Sequence, residues 1–167
     1  MALDGQTARV LVGLDGSEGS AAALHLAIKL ARAIDAEITA MHVFQFPYPV
    51  LAPMAGGASM GVGSEVGSLE ESTRESMKQA FETEWCAPLR DAGVRYREVF
   101  GDGRPGEQLK GAAERDNVDL IVVGRRGLGS LAELLAGSVS QYLVHRAERP
   151  VLITPHPSER DDRSSER

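Results

Sequence analysis

A short apolar run rich in β-branched residues, Asp119–Val123, leads directly into a glycine-rich segment. Such a run is typical of a strand that is buried on both faces, as in a parallel sheet. Glycines then follow at three separate points: Gly124, the pair Gly127 and Gly129, and Gly137. From Ser138 onward the apolar residues recur at helical spacing, which predicts a helix beginning at Gly137 or Ser138. The segment is therefore predicted to connect a buried strand to a helix.

This connection has the features of a phosphate-binding turn. Glycine lets the backbone adopt positive φ and come close to a ligand. Successive N–H groups in a turn, and the free N–H groups of a helix start, both attract anions. Ser138 and Ser140 could donate hydroxyl hydrogen bonds to the same anion. The alternative is a long turn with Ser138 as an ordinary N-cap; three glycine points and two serines at one helix start favour phosphate.

Composition narrows the class of protein. The chain has 167 residues, 43% of them hydrophobic and 25% charged, which predicts one globular domain. A formal net charge of −6 argues against a nucleic-acid-binding surface. No apolar run has transmembrane length, and the N-terminus does not resemble a signal peptide. The single cysteine, Cys86, is interpreted as a buried thiol, consistent with a reducing cytosol. We therefore expect a cytoplasmic protein that binds neither membrane nor nucleic acid.

Strand-like and helical patterns alternate along the chain. Strands are predicted at Arg9–Gly13, Glu37–Phe44, Tyr96–Phe100, Asp119–Val123 and Val151–Thr154. Ser17 is predicted to cap a first helix that ends near Ile34, and Pro105 to begin a later one. A strand–helix–strand unit requires a parallel pair with a right-handed crossover. The sequence therefore predicts a doubly wound α/β domain that binds ligands at strand carboxyl ends.

Two segments depart from this alternation. Residues 46–64 hold three prolines and several glycines, which predicts a flexible loop. A nucleotide lid or subunit contact and a mobile insertion are equally open interpretations. A capping box at Ser68 and Glu71 is then predicted to begin a long helix that bends or ends near Pro88. Its apolar stripe is interpreted as core: Leu69, Met77, Phe81, Trp85 and Leu89. Residues 1–155 form the predicted domain, and the polar tail 156–167 is expected to be disordered.

The glycine spacing also carries a resemblance to a known family. Gly124, Gly127 and Gly137-Ser138 look like the nucleotide-binding signature of the universal stress protein family. Val10–Ser17 resembles the opening strand and turn of that family, and Arg149–Thr154 its closing strand. The resemblance runs from about Arg9 to Pro155. It implies an adenine nucleotide alpha hydrolase-like fold with five parallel strands in the order 3-2-1-4-5 and helices on both faces.

The ATP-binding members of the family imply a set of ligand contacts. Asp15 and Val43 would lie near adenosine, with Val43 acting through its backbone. The ribose and phosphates would be surrounded by Gly124, Gly127, Gly137, Ser138, Val139 and Ser140. Gly129 and Arg126 complete the predicted site, although the Arg126 side chain could instead be solvated. Asp15 is either a ligand contact or a turn residue bonding its own backbone, and the resemblance favours the ligand role. The expected cofactor is ATP with Mg²⁺.

The function implied is an ATP-binding regulator in stress response, non-catalytic or weakly hydrolytic. A slow ATPase or phosphotransfer enzyme of the same fold and a nucleotide-free dimerising module remain alternatives. No His or carboxylate is placed as an evident base near the glycine turn, since Glu133 is expected to face solvent; no catalytic residue is predicted. The sequence has no P-loop motif, and neither the turn after the first strand nor the segment from Gly124 to Gly129 reads GxGxxG, which argues against other nucleotide-binding classes.

The last predicted strand, Val151–Thr154, is apolar and bracketed by Pro150 and Pro155. In the implied order it lies at a sheet edge, and an exposed apolar edge is a template for pairing with another chain. The resemblance implies antiparallel pairing with a second copy in a two-fold homodimer. Coverage by the chain's own helix and tail is the alternative.

Overall fold

The structure, a computed structural model, describes residues 7–46, 62–125 and 137–155. The strands are β1 Arg9–Gly13, β2 Glu37–Phe44, β3 Arg95–Asp102, β4 Leu120–Gly124 and β5 Val151–Thr154. The helices are α1 Glu18–Ile34, α2 Val62–Ala80, α3 Ala87–Ala92, α4 Pro105–Arg115 and α5 Ser138–Arg146. One π-helical turn, Phe81–Trp85, joins α2 to the short α3. None of the described helices is long and apolar enough to cross a membrane.

The five strands form one parallel sheet in the order β3-β2-β1-β4-β5. Because side chains alternate along a strand, Val10 and Val12 contribute to a different core cluster from Leu11. One cluster holds the buried face of α1, and the other holds Leu109 of α4 and Leu143 of α5. Helices therefore cover both faces of the sheet, and the predicted doubly wound fold is confirmed.

The order of the strands fixes where a ligand can bind. β1 and β4 are neighbours, yet the chain leaving β1 enters α1 on one face, while α5, which follows β4 in sequence, packs on the other. Connections that diverge to opposite faces leave a crevice at the carboxyl ends of the two strands. Asp15 follows β1 at this edge, and Gly124 ends β4 there. The topology therefore brings the two predicted halves of the site to the same edge.

The predicted start of the long helix is wrong. α2 begins at Val62, so Ser64 of the predicted loop is helical, and Ser68 lies inside the helix rather than at its cap. No proline follows Pro53 before Pro88, and the glycines and serines of this stretch lower helix propensity only modestly. The predicted break near Pro88 is confirmed, since Pro88 lies in the first turn of α3. Residues 47–61 of the predicted loop, and the tail 156–167, lie outside the described residues.

The apolar stripe of this segment is core only in its second half. Phe81 and Leu89 are buried, Trp85 is partly buried, and Leu69 is half exposed. Leu69 is not core because no residue described on α2 from 66 to 80 is buried. Cys86 is fully buried between the π turn and α3, and desolvation raises the pKa of its thiol to about 12. This agrees with a structural thiol, since the reactive thiolate is disfavoured.

Candidate functional site

The turn after β1 is held by a compact set of hydrogen bonds. Asp15 Oδ1 accepts from the Ser17 N–H at 3.1 Å and from the Ser17 hydroxyl at 2.6 Å. Ser17 Oγ accepts in turn from the Ser20 N–H at 3.2 Å, which confirms Ser17 as the N-cap of α1. Gly16 completes the turn at φ 81°, a value that favours glycine. Asp15 therefore bonds its own turn, as one of the two interpretations predicted; its contact with a ligand stays a prediction.

His42 of β2 contacts this turn through the Leu14 carbonyl. It was not identified from the sequence. The Leu14 N–H donates to the Met41 carbonyl at 2.9 Å, and His42 Nδ1 lies 2.7 Å from the Leu14 carbonyl. A carbonyl can only accept, so Nδ1 carries a proton. The ring is 5% exposed and packs against Phe81, Trp85 and Phe100. Its Nε2 is buried and has no hydrogen-bond partner within the described part of the chain.

The buried ring makes stability depend on pH. Desolvation lowers the pKa of His42 below its ordinary value of 6.5, although the bond to Leu14 and the charge of Asp15 act in the opposite direction. A lowered folded pKa means that the unfolded chain binds the proton more readily. The contribution of His42 to the free energy of unfolding is therefore complete above pH 6.5 and falls as the pH drops towards the folded pKa.

We expect the wild-type protein to lose stability relative to His42→Asn as the pH is lowered through this window. Urea unfolding of both proteins across about pH 8 to 5 measures it, because asparagine cannot titrate there. A difference between the two proteins that stays constant with pH would contradict a buried neutral imidazole.

Gly124 is required by packing at the end of β4. A Cβ built on it would lie 2.7 Å from the Gly19 carbonyl carbon and 2.8 Å from its oxygen. These are backbone atoms at the start of α1, which cannot rotate away as a side chain can. The sequence prediction assigned Gly124 to close approach of a ligand, whereas the structure shows a close approach of helix and strand. Its contact with a nucleotide stays a prediction.

The start of α5 is anchored to the end of β4. The Gly137 N–H donates to the Arg125 carbonyl at 2.6 Å. The Ser140 hydroxyl lies 3.1 Å from that carbonyl and 2.9 Å from the Gly137 carbonyl. The first intrahelical bond runs from the Gln141 N–H to Gly137. The N–H groups of residues 138–140 therefore belong to the turn that an α-helix leaves without intrahelical acceptors, and they lie beside the carboxyl end of β4.

The two predicted serines differ in what they can offer a ligand. Ser138 is exposed at the first position of α5, where an α-helix leaves the N–H without an intrahelical acceptor. Ser140 is 2% exposed, and its hydroxyl is directed to the two carbonyls because a serine in the first helical turn can bond back to the preceding chain. The sequence indicates that this hydroxyl could donate to an anion, whereas the structure directs it to the two carbonyls. The N–H of Ser140 stays a predicted contact.

The structure places the predicted site residues as follows. Asp15, Val43 and Gly124 lie at the carboxyl ends of three adjacent strands, and Gly137 to Ser140 adjoin Gly124 through Arg125. Arg126, Gly127 and Gly129 lie outside the described residues. In the parts that the structure describes, no three His, Cys, Asp or Glu side chains lie together as a metal site.

A separate cleft of about 170 Å³ lies between α1 and the π turn. It is lined by Leu14, Gly16, Ser17, Ser20, Ala21, Leu24, His25, Glu84, Trp85 and Pro88. It shares the Gly16-Ser17 turn with the predicted site but includes none of the residues at the ends of β2 and β4. The predicted crevice and this cleft are therefore different places on the molecule.

Comparison with known proteins decides the family. The sequence model described as the universal stress protein family matches residues 7–155. The chain belongs to the universal stress protein family. Its Bacillus subtilis relative YxiE, a universal stress protein, is 31% identical over 147 residues, which cover 87% of this chain and 97% of that protein. The resemblance inferred from the glycine spacing is confirmed.

Solved structures of universal stress proteins share the fold. The universal stress protein UspA from Lactobacillus plantarum superposes with a TM-score of 0.62 at 24% identity, over 90% of this chain and 99% of that chain. A universal stress protein in complex with cAMP is 25% identical, with a TM-score of 0.57, over 90% of this chain and 98% of that chain. The second structure shows that a protein of this family can hold an adenine nucleotide.

Proposed function

We propose that this universal stress protein binds ATP in the crevice between β1 and β4 and acts in the cytoplasm as a nucleotide-dependent regulator of the stress response. The observation that carries the proposal is the placement of the Asp15 turn, the end of β2 and the start of α5 at one sheet edge, at the switch point. The related structure with cAMP supports an adenine nucleotide as the ligand class. ATP rather than another adenine nucleotide is the finer part of the proposal.

The charges at the site orient the nucleotide. The carboxylate of Asp15 repels phosphate, so the phosphates belong at the other end, on the N–H groups of residues 138–140 and the positive end of the α5 dipole. Arg126, Gly127 and Gly129 are proposed to complete that end, with Mg²⁺ on the phosphates. We propose that the Asp15 carboxylate accepts from a ribose hydroxyl. This places the adenosine beside β1 and β2.

The backbone of Val43 suits an adenine edge. The Met41 carbonyl accepts from Leu14 on the β1 side, and alternate residues of a strand direct their backbone groups to the same side. Val43 therefore directs its N–H and C=O towards β1. The pairing of β1 with β2 stops at Gly13 and Met41, which leaves space beyond it for a planar ring. We propose that adenine is recognised there.

The direct test is calorimetric titration of the purified protein with ATP, ADP and cAMP, together with mass analysis of any nucleotide released on denaturation. We expect ATP to bind and to be retained. Multi-turnover phosphate release, measured beside retention, separates the regulator from the second candidate, a slow ATPase or phosphotransfer enzyme. Absence of binding to all three nucleotides would leave the third candidate, a nucleotide-free interaction module.

We also propose that the protein forms a homodimer through β5. This strand pairs with β4 on one side and is the edge of the sheet. Val151, Leu152 and Ile153 pack on the core but stay partly exposed, so a second strand would cover apolar surface as well as backbone groups. Antiparallel pairing of β5 with β5 of a second copy, about a two-fold axis, would cover the apolar surface and pair the backbone groups.

Ile153→Asp is expected to convert the dimer to a monomer, because it buries a charge against an apolar strand in the interface. Light scattering across a dilution series measures the mass. Ile34→Asp is the control: Ile34 is 58% exposed at the end of α1, so the same change there should leave the dimer intact. A wild-type protein that is monomeric at micromolar concentration refutes the proposal.

A further inference from the structure

The Leu14–Asp15 peptide is held from both sides. Its carbonyl accepts from His42 Nδ1 at 2.7 Å, and its N–H, that of Asp15, lies 3.3 Å from Ser20 Oγ. One residue earlier, the Leu14 N–H is bonded to β2 through Met41. The β1–β2 pairing stops at Gly13 and Met41. At the next residue, the side chain of His42 supplies the hydrogen bond to Leu14 that a backbone group would otherwise supply. The orientation of this peptide sets the direction in which Asp15 leaves the sheet.

Packing alone does not account for an imidazole at this position. The ring lies among Phe81, Trp85 and Phe100, an environment that a leucine or phenylalanine would fill without polar atoms. Among the residues that the structure describes, Nε2 of His42 has no hydrogen-bond partner, and a buried acceptor without a partner is destabilising. The bond that this ring does make is the one to the Leu14 carbonyl. The position therefore holds a destabilising group whose hydrogen bond to the Leu14 carbonyl holds the turn of the candidate site.

We propose that His42 is a positioning residue of the nucleotide site: its Nδ1–H fixes the Leu14–Asp15 peptide and, through it, the carboxylate that accepts from the ribose. This inference rests on the proposed nucleotide-binding function. It makes His42 act on the adenosine end of the ligand alone, because the proposed phosphate end lies at the start of α5. A residue that merely stabilised the fold would affect both ends together.

Three variants separate these roles. In His42→Asn the amide nitrogen occupies nearly the place of Nδ1 and keeps the donor. In His42→Gln the amide lies nearer the place of Nε2, and His42→Leu has no donor at all. Each is titrated with ATP and with inorganic tripolyphosphate, which offers phosphate without adenosine. Urea unfolding of each variant shows that it is folded under the titration conditions.

We expect His42→Leu and His42→Gln to weaken ATP binding about fivefold to tenfold, the loss of one hydrogen bond, with tripolyphosphate binding unchanged. His42→Asn should retain ATP affinity to within about twofold. Equal losses for ATP and tripolyphosphate, or equal ATP affinity in all three variants, would overturn the proposal. If His42→Leu does not fold, His42→Gln and His42→Asn still give the comparison.

Hydrogen exchange at the turn gives a readout that needs no nucleotide. The amides of Ser17 and Ser20 bond to Asp15 Oδ1 and Ser17 Oγ, so they should exchange faster in His42→Leu and His42→Gln and retain wild-type protection in His42→Asn. Unchanged protection in all variants overturns the positioning of the turn. A wild-type protein that binds no nucleotide instead refutes the proposed function, and the exchange measurement still decides whether His42 orders the turn.

Discussion

Gly124→Val is expected to cause the largest loss of stability of any single change argued from the structure. Even one added carbon would lie 2.7 Å from the carbonyl carbon of Gly19, and the start of α1 has little freedom to retreat. The Gly19 carbonyl also lies 3.4 Å from the buried hydroxyl of Thr154 on β5. Overpacking of this kind costs about 1–3 kcal/mol and occasionally more. We expect Gly124→Ala to fall in that range and Gly124→Val to exceed it.

The measurement is the free energy of unfolding from urea titration, with Gly67→Ala as the matched control. Gly67 lies in α2, and a Cβ added there meets nothing within 4 Å. Alanine should therefore stabilise the helix there, by up to about 1 kcal/mol. Opposite signs at Gly124 and Gly67 would separate the steric requirement from the general effect of replacing glycine. A Gly124→Ala protein as stable as the wild type would show that the glycine is not required by this packing.

The sheet was predictable because its signals are local. Runs such as Val10–Val12 and Ile121–Val123 are apolar without interruption, as strands covered on both faces must be. The order of the strands came from the family resemblance and could not be obtained from periodicity. The start of α2 was missed because glycine and serine near residue 64 resemble a loop, although glycine costs a helix only about 1 kcal/mol and serine less, unlike proline at about 3 kcal/mol.

The candidate site was predictable where its contacts are close in the chain. Ser17, Ser20 and Asp15 bond one another within five residues, and the sequence indicated a turn and N-cap there. The contact of Gly124 with Gly19 and that of His42 with Leu14 join different elements. Such contacts depend on which strands are neighbours and on how closely helix and sheet pack. The spacing of residues in the sequence indicates neither the strand neighbours nor the packing distance. Gly124 was therefore assigned to the ligand alone, and His42 was not identified.

The two interpretations of Asp15 predict different results for Asp15→Asn. The asparagine side-chain oxygen can still accept from the N–H and hydroxyl of Ser17, as Asp15 Oδ1 does. The turn should therefore persist, and the free energy of unfolding should change by less than about 0.5 kcal/mol. What is lost is the charge and an acceptor oxygen, since the amide nitrogen only donates. If Asp15 accepts from the ribose, ATP affinity should fall about tenfold to hundredfold, as for a hydrogen bond to a charged group.

Calorimetric titration with ATP and with tripolyphosphate measures this effect, and two further variants control it. Asp35→Asn removes the same charge at a side chain that is 92% exposed beside Arg95, so it should leave ATP affinity unchanged and exclude an effect of net charge. Asp15→Ala removes the turn bonds as well, and should lose stability in addition to affinity. Tripolyphosphate is an anion, so removal of the Asp15 carboxylate cannot weaken its binding through charge repulsion. A loss of affinity for ATP alone would therefore place Asp15 at the adenosine end. Unchanged ATP affinity in a folded Asp15→Asn protein would instead show that Asp15 serves only its own turn.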